Sequence, residues 1–304
     1  MKQNEFSVTS LVSAFSRAYH SIYDTPKIFD DFIAPELITK QEFSDISQNM
    51  IQGIEFFNNE IAQKFREKPD EILRWITQVQ LSPTPLARAA FCENVLLHEI
   101  LLGVKQYVIL GAGLDTFCFR HPELETDLDI FEIDHPATQE FKKKRLAQAN
   151  FFTPSNLHFV SMDFSHPFSY PSLRDNGLTN EKTFFSLLGV SYYLGKEELE
   201  SLLNQLFAEL PLGSSIVFDF GDEKFFEEKG ASKRVENIRK MASVSGEPMK
   251  SCFSYDEIEI LLEKAGLLIY EHLTPEMINH RYFVNRDDYL SAFETIHYIH
   301  AVKK

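Results

Sequence analysis

The sequence has few cysteines, few basic residues and no long hydrophobic run. Its three cysteines, Cys92, Cys118 and Cys252, are widely spaced and odd in number, which argues against a disulfide framework and against a clustered zinc site. No apolar stretch approaches the roughly 20 residues of a transmembrane helix, and the polar N-terminus does not resemble a signal peptide. We therefore expect a cytoplasmic chain without a membrane partner.

The charge balance excludes further classes of partner. The chain has 30 basic and 45 acidic residues among 304, for a formal net charge of −15. Such an acidic protein does not attract nucleic acid or an anionic membrane surface. The sequence also contains no His-x-x-x-His pair and no local acidic cluster, so we expect no metal site.

The chain changes character near residue 85. Before that point, apolar residues recur at helical spacing over 7–23, 54–65 and 70–79, and prolines separate these segments. We predict a helical N-terminal cap over residues 1–84 and a second domain over 85–304. A charged, glycine-broken stretch at 222–253 predicts a lid inserted into that second domain.

Strand and helix patterns alternate after residue 105. Strands are predicted at 106–111, 128–133, 157–162, 183–190 and 214–220, with helices at 137–149 and 196–209. Two more strands at 267–272 and 295–302 are expected to pair at the sheet edge. This alternation is typical of an α/β fold with a doubly wound, Rossmann-like and mostly parallel sheet, here of seven strands.

A glycine loop and an acidic residue predict a nucleoside site. The apolar run after Gln106 ends in Gly111-Ala112-Gly113, and the next apolar run ends on Asp134. Glycines let the backbone approach a ligand closely, and a carboxylate at the tip of the second strand accepts hydrogen bonds from ribose hydroxyls. The 21 positions from Gly113 to Asp134 are close to the roughly 20 expected. The alternative is that Asp134 only caps the following helix. Glu132 shares its strand face and is a weaker candidate.

Two further features bear on the cofactor. Asp163 and Phe164 follow the third strand, where an adenine base would lie, although an aspartate there could also simply form a turn. In the glycine loop, Asp115 would repel a pyrophosphate, and Thr116 stands where a dinucleotide site has its third glycine. These residues favour S-adenosylmethionine over NAD.

Two of these motifs resemble those of a known family. The segment Gly111-Ala-Gly-Leu-Asp-Thr-Phe-Cys-Phe-Arg120 and the segment Phe131-Glu-Ile-Asp-His-Pro136 are similar to those of the leucine carboxyl methyltransferase family. Lys142 to Arg145, Asp163-Phe164 and residues 188–194 add to the resemblance. That family includes protein phosphatase carboxyl methyltransferases and bacterial polyketide O-methyltransferase-like enzymes, and the resemblance covers nearly the whole chain.

The resemblance implies a class I methyltransferase fold and S-adenosyl-L-methionine as the cofactor. It implies that Arg88 binds the methionine carboxylate, that Asp134 binds the ribose, and that Asp163 and Phe164 hold the adenine. A planar guanidinium suits a carboxylate because it can donate two parallel hydrogen bonds. The predicted cofactor-binding residues are Arg88, Gly111, Ala112, Gly113, Asp134, His135, Asp163, Phe164 and Leu188. Arg17 is a weaker candidate for a carboxylate or substrate contact.

One departure from the family bears on the acceptor. Phosphatase-directed members carry a glutamate where this chain has Leu188, which points to the bacterial small-molecule branch. We expect O-methylation of a carboxylate or hydroxyl on a small molecule, and the 28 phenylalanines would suit an apolar, polyketide-like acceptor. His135, Tyr192 and Tyr193 are candidates for a catalytic base, but none is assigned. The alternatives are an NAD-dependent oxidoreductase and a catalytically idle cofactor-binding protein.

Overall fold

The computed structural model describes residues 6–164, 168–227, 232–244 and 246–304. Within these residues seven strands form one sheet in the order β3-β2-β1-β4-β5-β7-β6, and only β7 runs antiparallel to its neighbours. The strands are β1 Gln106–Leu110, β2 Asp129–Asp134, β3 Leu157–Ser161, β4 Thr183–Leu187, β5 Ser215–Gly221, β6 Leu267–Leu273 and β7 Ile296–Lys303. The predicted doubly wound, mostly parallel sheet with a final strand pair at its edge is confirmed.

Helices account for most of the remaining chain. Those before the sheet are α1 Val8–Tyr23, α2 Lys40–Gln52, α3 Ile54–Phe57, α4 Asn59–Lys64, α5 Pro69–Ile76 and α6 Pro83–Leu101, with a π-helical turn at Thr77–Leu81. Those between and after the strands are α7 Phe117–Arg120, α8 Pro136–Gln148, α9 Tyr170–Asp175, α10 Lys196–Phe207, α11 Lys233–Val244, α12 Tyr255–Lys264 and α13 Pro275–Tyr282. Among the described residues, no helix is both long and apolar enough to cross a membrane.

Apolar side chains cover both faces of the sheet. Along β1, Tyr107 and Ile109 pack on the face covered by α6, whereas Val108 and Leu110 pack on the face covered by α10 and α12. Successive residues of a strand point to opposite faces, so a strand buried on both sides is apolar throughout. This burial explains the continuous apolar runs from which the strands were predicted. The N-terminal helices share a separate apolar cluster.

Two predicted elements are shorter than the apolar pattern suggested. The strand expected at 183–190 ends at Leu187, because the chain turns at Gly189 with φ of 72°. The helix expected at 54–65 is broken at Asn58, whose side chain accepts hydrogen bonds from the amides of Glu60 and Ile61 and caps α4. A local side-chain hydrogen bond competes with helix continuation at such a residue.

The predicted lid region packs against the N-terminal helices. Its helix α11 contacts α3 and the π-helical turn, and the side-chain Nε2 of Gln80 donates to the carbonyl of Arg234 at 2.9 Å. Residues 228–231 and 245 of this predicted lid lie outside the described residues. Its mobility, like the division into a cap at 1–84 and a domain at 85–304, stays a prediction.

A buried histidine on β7 makes the stability of the fold depend on pH. The His300 side chain is 4% exposed, its Nε2 lies 3.6 Å from Glu99 Oε1, and Lys182 lies on the far side of Glu99 with Nζ 3.2 Å from Oε2. Burial, assisted by the charge of Lys182, lowers the pKa of His300 to about 4. The native state therefore binds this proton less readily than the unfolded chain does.

The free energy of unfolding should consequently fall as the pH drops from 7 to 5. In this window the unfolded histidine takes up a proton while native His300 stays neutral, which costs about 2 kcal/mol at pH 5. Urea denaturation at both pH values should show a drop smaller by about 2 kcal/mol in His300→Gln than in the wild type. Equal drops in the two proteins would show that His300 is not the titrating group.

Candidate functional site

One cavity of about 960 Å³ lies at the carboxyl ends of the central strands, between the sheet, the N-terminal helices and the lid region. In a doubly wound sheet ligands bind at this edge, beside the point where the strand order reverses, here between β1 and β4. The structure brings all nine predicted cofactor-binding residues to the wall of this cavity: Arg88, Gly111, Ala112, Gly113, Asp134, His135, Asp163, Phe164 and Leu188.

The glycine loop and Asp134 are joined directly. The amide of Gly113 donates to Asp134 Oδ2, and the amide of His135 donates to Oδ1, both at 2.6 Å. Burial raises the pKa of Asp134, and these two amide hydrogen bonds oppose the rise. Each carboxylate oxygen has two lone pairs, so Asp134 can still accept from ligand hydroxyls. The loop thus fixes the orientation of the carboxylate at the tip of β2.

Gly113 is required because helix α1 lies against the loop. Its φ is 52°, and a Cβ atom at this position would come within 2.3 Å of Ser10 Oγ. The same hydroxyl accepts a hydrogen bond from the amide of Leu114 at 3.1 Å. The N-terminal helix therefore helps to shape the loop that the sequence identified.

Glu132 is excluded as a ribose ligand by its surroundings. Its side chain is 1% exposed and pairs with Lys142, with Oε2 2.5 Å from Nζ, rather than lining the cavity. Burial raises the pKa of Glu132 to about 7, and the ammonium of Lys142 opposes the rise. The weaker candidate on this strand is thus part of a buried ion pair that joins β2 to α8.

Arg17, considered as a carboxylate or substrate contact, lines the cavity and also holds the glycine loop. Its Nε donates to Asp31 at 2.8 Å, its Nη1 to Ser13 at 3.1 Å, and its Nη2 to the carbonyl of Leu114 at 2.7 Å. With all three nitrogens engaged by protein atoms, Arg17 supports the glycine loop. Burial alone would raise the pKa of Asp31, but Arg17 and Arg120 hold it below its ordinary value.

Arg88 is held by a carboxylate that the sequence analysis missed. Its Nη1 donates to Asp219 Oδ2 at 2.9 Å, and Asp219 also accepts from the amide of Gly189 at 2.6 Å and from the hydroxyl of Tyr192. The Asp219 side chain is fully buried, whereas that of Arg88 is 16% exposed and reaches the cavity. The available signal was an acid inside the apolar strand segment Ile-Val-Phe-Asp-Phe.

Gly189 leaves room for this guanidinium. A Cβ atom on Gly189 would lie 2.5 Å from both Nη1 and Nη2 of Arg88, and its φ of 72° also disfavours a side chain. The turn after β4 therefore allows Arg88 to lie against the backbone. Leu188, the residue before it, lines the cavity and packs against the core.

Two of the three candidate bases are unsuited to that role, and the third uses one ring nitrogen to cap a helix. His135 Nδ1 accepts from the amide of Ala137 at 3.2 Å and caps α8. The Tyr192 hydroxyl donates to Asp219, and burial raises its pKa far above the ordinary value. Burial, together with the charge of Glu247, raises the pKa of Tyr193 to about 12.

Comparison with known proteins decides between the cofactors. The profile of the leucine carboxyl methyltransferase family matches residues 10–207. The chain belongs to this family. It is also 66% identical, over the full length of both chains, to a Bacillus subtilis strain 168 protein, YktD, described as a candidate S-adenosyl-L-methionine-dependent methyltransferase. A Mycolicibacterium smegmatis protein with the same description is 29% identical over 69% of this chain and 64% of its own length.

Solved methyltransferase structures are more distant. Magnesium protoporphyrin IX methyltransferase from Synechocystis PCC 6803 with bound S-adenosylhomocysteine aligns with a TM-score of 0.47 and 11% identity, over 85% of this chain and 99% of that one. Family membership and the 66% identical relative make the chain an S-adenosyl-L-methionine-dependent methyltransferase with a class I, Rossmann-like fold. The oxidoreductase alternative is thereby set aside.

The residues of this family member fit its methyl donor. The cradle at Gly113 and Gly189 has no space for a Cβ atom, the Asp134 carboxylate is fixed at the strand tip, and the guanidinium of Arg88 reaches the cavity. Asp163 and Phe164 line the wall after β3. Across the parts of the chain that the structure describes, no group of three or more His, Cys, Asp or Glu side chains could hold a metal ion.

Residues of the predicted lid region line the cavity of this methyltransferase and are tied to its other walls. Glu247 accepts hydrogen bonds from Ser7 Oγ at 3.3 Å and Thr9 Oγ1 at 2.5 Å, both at the start of α1. The amides of Lys250 and Ser251 donate to the carbonyl of Tyr192 at 2.6 and 3.2 Å. The predicted lid is therefore attached both to the N-terminal helix and to the residue that contacts Asp219.

Replacement of Gly189 by alanine tests the position of Arg88. The added Cβ must displace the guanidinium, so Gly189→Ala should weaken S-adenosylhomocysteine binding by the worth of a charged hydrogen bond, about 1.5–3 kcal/mol or roughly 10- to 150-fold. Gly266→Ala is the matched control, because Gly266 has a similar φ of 74° and no atom within 4 Å of the new Cβ. If isothermal titration calorimetry finds the same affinity for S-adenosylhomocysteine in both variants, the position of the Arg88 guanidinium does not contribute to donor binding.

Proposed function

We propose that this family member transfers a methyl group to an oxygen atom, a hydroxyl or a carboxylate, of an apolar small molecule. The observation that carries the proposal is that the cavity continues from the predicted donor-binding residues into a region lined by apolar side chains of the cap and lid, such as Phe57, Leu81 and Met241. A concave site with apolar walls and few polar groups is typical of small-molecule recognition. The family's protein carboxyl acceptors are less suited, because Leu188 replaces the glutamate of phosphatase-directed members.

Each predicted residue has a distinct role in donor binding. Arg88 would bind the methionine carboxylate, and Asp134 would accept hydrogen bonds from the ribose hydroxyls, beside His135. The backbone of Gly111, Ala112 and Gly113 would approach the donor closely. Asp163 and Phe164 would hold the adenine, and Leu188 would contact the donor from the turn after β4. The negative charges of Asp115 and Glu247 on the cavity wall suit a donor that carries a sulfonium cation.

The chemistry requires positioning more than acid–base work. When bound, S-adenosylmethionine supplies a methyl group that is already activated by the sulfonium sulfur. Arg88 and Asp134 would fix the two ends of the methionyl-ribosyl portion, and the lid with α1 would exclude water. Holding reactants about 3–3.5 Å apart and in line can supply a large part of the rate enhancement.

We also propose that the enzyme works on soluble acceptors in the cytoplasm rather than on nucleic acid or membrane lipid. The supporting observation is the formal net charge of −15. A field of this sign repels polyanionic surfaces.

Calorimetric titration with S-adenosylhomocysteine, and separately with NADH, tests the donor assignment. Micromolar binding of S-adenosylhomocysteine alone is expected from the fit of the cavity residues. Binding of NADH alone would refute the assignment. Binding of neither ligand would show that the glycine loop is not a cofactor site.

Asp134→Ala tests the ribose contact. Loss of a charged hydrogen-bond acceptor should weaken S-adenosylhomocysteine binding by about 1–3 kcal/mol, which is roughly 5- to 150-fold. Asp129→Ala is the matched control, because Asp129 begins the same strand with its side chain 56% exposed. If the folded Asp134→Ala protein binds as tightly as the control, Asp134 has no part in ribose binding.

A further inference from the structure

The region of the cavity between the cap and the lid has a composition that restricts the acceptor. We call it the acceptor chamber and define it by six apolar side chains, three from the cap and three from the lid: Met50, Phe57, Leu81, Ile238, Met241 and Met249. Three of the six methionines of the chain are in this set. Methionine is flexible and polarizable, so such walls adapt to apolar ligands of irregular shape.

On the part of the cavity wall that the structure describes, each arginine already has a carboxylate partner. Arg17 pairs with Asp31 at 2.8 Å and Arg120 pairs with Glu93 at 2.6 Å, so each guanidinium has its own carboxylate. Arg88 pairs with Asp219, and its remaining donors are assigned to the methionine carboxylate under the proposed function. A carboxylate in the chamber would therefore lose its hydration without gaining a counter-charge, which is costly.

The two lysines on the cavity wall do not change this balance. Lys240 Nζ lies 2.5 Å from Glu236, and Lys250 Nζ lies 3.7 Å from Glu198. Both lysine side chains are more than half exposed, at 53% and 56%, so water and salt screen their charges. They can attract an anion to the surface but cannot replace its hydration inside the chamber.

Glu247 supplies a hydrogen-bond acceptor at the same wall. Ser7 Oγ and Thr9 Oγ1 both donate to its Oε2 atom. Among the described residues, no protein donor contacts its Oε1 atom. The hydroxyl groups of α1 thus fix the carboxylate while one oxygen stays available to a ligand, and this negative charge adds to the repulsion of an anion.

We propose that the acceptor is an uncharged, apolar alcohol or phenol whose hydroxyl donates a hydrogen bond to Glu247 Oε1. This inference rests on the proposed function and narrows it, because it excludes the carboxylate acceptors for which the family is named. The acceptor oxygen forms the new bond to the methyl carbon as the carbon–sulfur bond breaks, and that electron pair stays on sulfur. The hydroxyl proton passes to Glu247.

A matched pair of probes tests the chemical class. Wild-type protein saturated with S-adenosylhomocysteine is titrated with 4-pentylphenol and with 4-pentylbenzoate, which share their apolar part and differ in the head group. We expect the phenol to bind at least about 10-fold more tightly, since the benzoate must leave water without a counter-charge. Equal binding, tighter benzoate binding, or failure of both probes would each overturn the inference. Normal S-adenosylhomocysteine binding in the same samples leaves the proposed function standing, whereas its loss refutes that function.

Glu247→Gln tests the role of the carboxylate. The variant should methylate 4-pentylphenol about 100-fold more slowly or worse, the usual contribution of a general base, and its preference for phenol over benzoate should shrink. Glu247→Asp, which keeps a carboxylate, should recover part of the rate. Glu259→Gln, which makes the same charge change at an exposed position on α12, should behave as the wild type. An unchanged rate and preference in Glu247→Gln would overturn the assignment, and the wild-type probe comparison does not depend on this variant folding.

Discussion

The buried carboxylate of Asp219 must be satisfied by neighbouring donors, because an isolated charge in the core costs several kcal/mol. The amide of Gly189, the hydroxyl of Tyr192 and the guanidinium of Arg88 meet this demand. Each donor comes from a different part of the site: the turn after β4, the segment that follows it, and helix α6. The requirement of one carboxylate therefore fixes the relative positions of three elements at the end of the cavity where the methionine carboxylate is proposed to bind.

The N-terminal helices complete the cofactor loop as well as covering it. Asp31 accepts from Arg17 at 2.8 Å and from Thr116 at 2.7 Å, and Ser10 accepts from the amide of Leu114. These contacts hold the loop after β1 from the side opposite the sheet. The shape of this glycine loop therefore depends on the N-terminal helical layer as well as on the strand before it and the helix after it. Removal of that layer would leave the loop's polar groups without partners.

Much of the fold was predictable because its signals are local. Apolar runs identified the strands, and the start of α12 is also encoded locally, by a capping box at Ser254 and Glu257 whose two hydrogen bonds are present at 3.2 and 2.9 Å. All nine predicted cofactor-binding residues reach one cavity, although their individual roles stay predictions. The glycine spacing and Asp134 carried this information in a single short segment.

The remaining features depend on contacts between residues far apart in the chain. Asp219 lies 131 positions from Arg88, and an acid in an apolar strand does not reveal its partner. The strand pattern made Glu132 a candidate ribose ligand, but the structure pairs it with Lys142 of the following helix, α8. Likewise the end of β4 is set by the turn that brings Gly189 to the Arg88 guanidinium, so the apolar pattern alone made the strand too long.

Tyr192 gives the site a mechanical coupling between its two ends. Its hydroxyl contacts the carboxylate that holds Arg88, while its carbonyl accepts from the amides of Lys250 and Ser251 in the lid. Displacement of the lid would strain a residue that helps to position the guanidinium. Under the proposed function, a displacement of the lid would therefore also weaken the contact of Arg88 with the methionine carboxylate of the spent donor.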